Sequence, residues 1–98
     1  MKTIMPQDVE MQLKQGKSLN IIDVREDEEV AQGIIPGAKH YRLGDLPITY
    51  TELDQSKEYI IVCRSGRRSA QACAFLEEMG FSVANLEGGM LDWTGEVE

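Results

Sequence analysis

The chain is poor in the residues that staple or ligate. It has two cysteines, one histidine and one tryptophan in 98 residues. Two cysteines are too few for the disulfide framework of a small secreted fold, so the expected setting is reducing and cytoplasmic. Together with the single histidine, His40, they fall short of a tetrahedral zinc site, and no metal is expected. Positive charge is also scarce. Ten Lys and Arg against 17 Asp and Glu leave a net charge of −7, which argues against the broad basic face that nucleic acid or an anionic membrane demands. No apolar run approaches the roughly 20 residues of a membrane span. The opening MKTIMPQDVE lacks the long apolar stretch of a secretory signal. There is no internal repeat, no linker and no low-complexity segment. What remains is an ordinary globular composition, 42% hydrophobic and 28% charged, expected to form one compact domain over residues 1–98.

The order of segments predicts an α/β architecture. Pro6 can open a helix and Gly16 close it, with Val9 and Leu13 at helical spacing. LNIID (19–23) reads as a short buried strand, and REDEEVAQ (25–32) as a brief exposed helix whose acidic run, Glu26 to Glu29, is a solvated face. GIIPGA (33–38) carries loop chemistry, and KHYRL a short strand. Residues 44–58 are polar and mixed, expected as loop with a helical turn near 47–53. EYIIVC (58–63) is a continuous apolar run, as in a parallel strand covered on both faces. RRSAQACAFLEEM then supplies helix formers up to Gly80. FSVANL is a further strand, Gly88-Gly89 a tight turn and MLDWTGEV a short terminal helix. Strands alternating with helices imply a mainly parallel central sheet with helices on both faces.

Three of the chain's five arginines fall within the five residues after Cys63. Ligands of open parallel sheets collect at the carboxyl ends of the strands. Cys63 ends a strand there, and RSGRRS leads straight into a helix. The amides of residues 64–69 can then converge on one point with the helix dipole behind them, a geometry that binds an oxyanion. Arg64, Arg67 and Arg68 reinforce it, Gly66 lets the loop curl, and Ser69 can cap the helix or donate to an anion. Helix-terminus amides and neighbouring cations favour thiolate over thiol, so Cys63 is expected to be reactive. Cys73, inside the helix beside Ala70, Ala74 and Leu76, reads as a packed core thiol, and His40 as a surface or internally satisfied histidine. Two chemistries fit a thiolate in such a cradle: attack on phosphorus, or attack on a sulfane sulfur to leave a persulfide.

Four segments together carry a more specific signal. IIDVRE (21–26), GIIPGA (33–38), IVCRSGRRS (61–69) and NLEGGMLDW (85–93) stand in the order and at the spacing of the rhodanese family of sulfurtransferases, which the chain resembles in its single-domain form over essentially its full length. The resemblance implies a rhodanese-like three-layer domain and a thiosulfate sulfurtransferase. Cys63 would be the nucleophile and Arg64, Ser65, Gly66, Arg67, Arg68 and Ser69 the binding loop. The family's protein tyrosine phosphatase cousins carry an arginine six residues after the cysteine. Here that place is Ser69, Arg68 comes at five, and Val62 stands where the phosphatases commonly have His. By resemblance, the shorter loop suits a sulfane sulfur better than a phosphate.

The resemblance further implies that Cys63 takes sulfur from thiosulfate or a persulfide donor and passes it to cyanide or a thiol, with a protein thiol carrier among the candidate partners. No cofactor is needed, and a domain of this size can act as a monomer. Asp23 and Arg25 match the family's Asp-x-Arg and are expected to pair structurally. Gly33, Pro36 and Gly37 are expected to set a turn near the loop, and Gly88-Gly89 and Trp93 to close the core. Ile34 and Val30 depart from the His and the aromatic usual in relatives. A phosphatase or arsenate reductase on the same cradle, and a non-catalytic module that recognises a partner, are the rival readings.

Overall fold

The structure, a computed structural model, describes residues 1–98. Five strands, β1 (Thr3–Ile4), β2 (Ile21–Asp23), β3 (Lys39–His40), β4 (Glu58–Val62) and β5 (Ser82–Leu86), alternate with four helices, α1 (Pro6–Lys14), α2 (Asp27–Val30), α3 (Leu46–Thr49) and α4 (Arg67–Glu78). The sheet order is β1-β5-β4-β2-β3, and every pairing is parallel. A parallel sheet is stable when both faces are covered, and the two hydrophobic clusters do this. Ile22, Tyr59, Ile61, Cys63 and Val83 meet α4 residues Ala72, Cys73 and Leu76, together with Leu46 of α3, on one side. Ile21, Ile60, Val62 and Leu86 meet Val9 of α1 and Ile35 on the other, with Met90 and Trp93 packed at the margin. Alternation along β4 therefore sends Tyr59 and Ile61 to one core and Ile60 and Val62 to the other.

The topology also locates a crevice. The chain leaves β2 toward β3 at one edge and leaves β4 through α4 toward β5 on the opposite side. Neighbouring strands whose exits diverge open a gap at their carboxyl ends. Cys63 stands on one side of that gap and Arg25 on the other.

Three expectations need correction. A fifth strand, β1, was not foreseen: it is two residues long, partly exposed and held at the sheet edge by pairing with β5. Residues 43–52 are more helical than expected, a continuous series of turns from Leu43–Asp45 through α3 to Tyr50–Glu52. The terminal helix shrinks to a single 3-10 turn, Gly89–Asp92, because Trp93 turns extended and its indole Nε1 donates to the Glu96 carbonyl at 3.0 Å. The tail then returns past the β2–β3 connection, with Glu98 and Ile34 exchanging backbone hydrogen bonds.

The Gly88-Gly89 turn is the tightest backbone approach near the crevice. Gly89 has φ +60, and a Cβ there would stand 2.5 Å from the Cys63 carbonyl oxygen and 2.6 Å from the Arg64 carbonyl. Both neighbours are backbone and cannot rotate aside. Gly89→Ala should therefore cost upwards of about 2 kcal/mol, lowering the melting temperature by roughly 10 °C or more. Gly44→Ala, where a Cβ meets nothing within 4 Å, is the control and should leave it unchanged. Thermal unfolding of the two variants beside the parent checks this, and equal melting temperatures would refute it.

Candidate active site

Cys63 follows the last residue of β4, and the chain curls through Arg64, Ser65 and Gly66 into α4. Gly66 makes the curl possible: it is the N-cap of α4 in the left-handed region, φ 99, which a side chain would strain. The Gly66 N–H donates to Cys63 Sγ at 3.0 Å, and the Ser69 hydroxyl lies 3.2 Å from the same sulfur. Burial pushes the Cys63 thiol up. The Ser69 hydroxyl and the backbone N–H groups of Ser69, Gly66 and Ser65 outweigh it, so the thiol sits below its ordinary value. The thiolate is thus favoured by hydroxyl and amide hydrogens rather than by a guanidinium bonded to sulfur. Cys73 lacks such donors, and burial first, with the charges of Glu77 and Cys63 beside it, pushes its thiol up to about 12.

Ser69 does not cap the helix. As the third residue of α4 it is fully buried, and its hydroxyl also bonds the Asn85 side-chain oxygen. Asn85 lies on β5 and is 8% exposed, and its Nδ2 donates to the Gly66 carbonyl at 3.0 Å. Sequence reasoning missed Asn85 because FSVANL reads only as a strand. Its signal is a polar residue next to the end of the buried, otherwise apolar part of a parallel strand.

The three arginines part ways. Arg68 is committed to Glu29: Nη1 and Nη2 each donate to one carboxylate oxygen at 2.7 Å. This fork brings the Glu29 carboxyl down to about 2, with the Arg68 hydrogen bonds the main cause. Glu29 is therefore not part of a purely solvated face. It reaches back to the Glu26 N–H in a capping box that fixes α2, and it holds the loop from across the crevice. Arg64 and Arg67 are exposed and enter no ion pair. Ser65 is exposed as well, contributing its N–H.

Asp23 and Arg25 form the expected structural pair. Both are buried, with Nη2 2.9 Å from Oδ2 and Nε 3.0 Å from both carboxylate oxygens. Arg25 Nη2 also donates to the Gly33 carbonyl at 2.7 Å, so the predicted Gly-Pro-Gly loop is fastened to β2. His40, for which the sequence suggested no partner, donates from Nε2 to the Arg25 carbonyl at 2.6 Å. An open groove of about 270 Å³, bounded by Arg25, Glu29, Gln32, Gly33, Arg64 and Leu91, adjoins the loop. Cys63 itself is 0% exposed. No cluster of His, Cys, Asp and Glu is arranged to hold a metal ion, and no helix is long and apolar enough to cross a membrane.

Comparison with known proteins agrees with this geometry. The model of the rhodanese-like domain matches residues 5–96. A Bacillus subtilis protein named "Putative sulfurtransferase YtwF" is 51% identical over 86 residues, covering 88% of this chain and 84% of the relative. The thiosulfate sulfurtransferase GlpE of Shewanella oneidensis is 31% identical over 85% of this chain and 83% of its own length. Among solved structures, a rhodanese-like domain protein from Staphylococcus aureus superposes with a TM-score of 0.94 at 38% identity, covering 100% of this chain and 97% of that one. The chain belongs to the rhodanese-like domain family, alongside sulfurtransferases.

Proposed function

We propose that the protein is a thiosulfate sulfurtransferase in which Cys63 accepts a sulfane sulfur as a persulfide and hands it to a thiol or cyanide. The observation that carries this reading is the Gly66 N–H bonded to Cys63 Sγ at 3.0 Å, with the Ser69 hydroxyl 3.2 Å from the same sulfur, at the N-terminus of α4. The thiolate attacks the outer sulfur of thiosulfate. The donor's S–S bond breaks and its electron pair leaves with sulfite, while Cys63–S–S⁻ forms. The new terminal sulfur stands about 2 Å further out, still within a ring of donors suited to an anion. An acceptor thiolate or cyanide then attacks that terminal sulfur and releases the Cys63 thiolate. The step is a displacement at sulfur and calls for no metal or organic cofactor.

A phosphatase reading is less well supported. Phosphoryl transfer wants a bidentate guanidinium facing the anion. The sixth place after Cys63 is a buried serine, and the nearest fork, on Arg68, is spent on Glu29. Arg64 and Arg67 are then the cations free to draw an anionic donor to an acidic protein, an encounter effect that salt screens.

Intact mass before and after thiosulfate tests the reading. A gain of about 32 Da, reversed by cyanide and absent in Cys63→Ser, is expected. No gain with thiosulfate or with any of a panel of persulfide donors would refute it. The rate of Cys63 alkylation should rise with pH and level off above a midpoint lower than that of a free cysteine, because the folded environment lowers its pKa and ionisation proceeds as pH rises.

The arginines should separate by variant. Arg67→Ala should cut kcat/KM for thiosulfate several-fold at low salt, less at high salt, and leave the melting temperature unchanged. Arg68→Ala should also lower the melting temperature, by roughly 4–8 °C for a loss of about 1 kcal/mol, and Glu29→Gln should reproduce that fall. An unchanged melting temperature in both would mean that the Arg68–Glu29 fork does not anchor the loop.

A further inference from the structure

Four hydrogen bonds form a ring around Cys63. Gly66 N–H donates to Sγ, Sγ contacts the Ser69 hydroxyl, that hydroxyl bonds Asn85 Oδ1, and Asn85 Nδ2 donates to the Gly66 carbonyl. The Gly66 carbonyl fixes the direction of the Asn85 amide: turned over, Oδ1 would face another acceptor. Ser69 therefore faces a carbonyl-type oxygen and must give its hydrogen to it. Serine has only one. In the resting thiol every hydrogen has a place, with Sγ–H donating to Ser69 Oγ and Ser69 O–H to Asn85. In the thiolate, Ser69 can serve the sulfur only by turning that hydrogen away from Asn85, leaving Oδ1 without a donor at a residue that is 8% exposed. A buried acceptor stripped of its donor is costly.

We infer that Asn85 is a positioning residue that competes with Cys63 Sγ for the Ser69 proton, disfavouring the free thiolate while leaving the sulfur-loaded cysteine unopposed. The inference rests on Cys63 being the nucleophile of the proposed transfer. When the thiolate attacks a sulfane sulfur, its electron pair becomes the new S–S bond and the negative charge moves to the terminal sulfur. Sγ then needs no hydrogen from Ser69, and the Ser69–Asn85 bond closes again. The loaded form is thus favoured over the empty thiolate. Asn85 can do this without holding the loop together, because the Gly66 carbonyl also accepts the Ala70 N–H at 3.1 Å within α4.

The other titratable and charged groups around Cys63 are distinct from this device. Arg64, Arg67 and Arg68 belong to the loop itself. Arg68 is near enough for its charge to interact with the thiolate, and it is bound to Glu29. Cys73 lies deeper on α4 in the same cluster, and Asp23 and Arg25 neutralise each other at the end of β2. β5 presents only the uncharged Asn85 toward the ring.

The test is the pH profile of iodoacetamide alkylation at Cys63, which needs no sulfurtransferase turnover. Asn85→Leu, similar in size and unable to accept, should speed alkylation about tenfold at a pH well below the midpoint. Ser69→Ala should slow it. In the Ser69→Ala background, Asn85→Leu should change nothing, since its effect passes through that hydroxyl. Slower or unchanged alkylation in Asn85→Leu, or an equal gain with and without Ser69, would overturn the inference.

The parent protein offers a measurement that survives misfolding of the variant. The Asn85 side-chain ¹³Cγ resonance should titrate together with the thiolate absorbance of Cys63 and return to its low-pH position in the persulfide form. A resonance that stays fixed through the titration would overturn the inference equally. Failure of thiosulfate to load Cys63 would instead strike the proposed function and leave these alkylation rates as they are.

Discussion

The loop around Cys63 depends on two backbone hydrogen bonds made on its outer side. Met90 N–H donates to the Cys63 carbonyl and Leu91 N–H to the Arg64 carbonyl, each at 2.9 Å. A trans peptide points its N–H opposite to its C=O. Holding the Arg64 carbonyl outward against the turn after β5 therefore turns the Ser65 N–H inward, toward the sulfur. Only glycine lets the two backbones come that close, since a Cβ on Gly89 would meet both carbonyls. The inward donors are a consequence of where the outward acceptors are tied. The apolar cores beneath matter to the site chiefly because they bring β4 and β5 side by side, in register from Glu58–Ser82 to Ile61–Asn85.

Across the crevice the support is a connected set of ion pairs and hydrogen bonds to backbone carbonyls. His40 holds the Arg25 carbonyl, Arg25 holds Asp23 and the Gly33 carbonyl, and Glu29 holds Arg68. Buried pairs such as Asp23–Arg25 are weak arguments for net stability, since desolvation offsets much of the attraction. Their value here is geometric. Each charged group is directional, and together they fix how far α2 and the β2–β3 connection stand from the loop. A chain of net charge −7 can gather three arginines beside a thiol because one of them, Arg68, is neutralised by a carboxylate 39 residues away.

The features legible in the sequence were those encoded in contiguous residues. The apolar run ending at Cys63, the helix formers after it and the glycine between them identify strand, curl and helix without outside help, and the four-motif order identifies the family. Pairings across the chain were not legible. Glu29 in an acidic run looks like any solvated helix face until the fold puts Arg68 opposite it. Asn85 in FSVANL carries no mark of its bond to Ser69, 16 residues earlier. The arginine cluster was legible as charge but not as roles, because charge counts do not say which cation is already paired. The short elements failed for a different reason. β1 and the turns of residues 43–52 have too few residues for a periodic pattern, and tertiary contacts decide them.

Cys63 and Cys73 are both 0% exposed and both in the same hydrophobic cluster, yet their thiols move in opposite directions. Burial is common to the two, so it cannot be what distinguishes them. Cys73 sits within α4, where the backbone N–H groups are engaged by the preceding turn and none is left for sulfur. Cys63 sits just before the helix, where the first N–H groups have no intrahelical partner. A displacement of ten residues along the chain changes the supply of hydrogen-bond donors, and that supply separates an inert core thiol from one suited to carry sulfur. Exposure is a poor guide to cysteine reactivity in this fold. The count of unspent donors aimed at the sulfur is a better one, and Asn85 matters because it draws on that same supply.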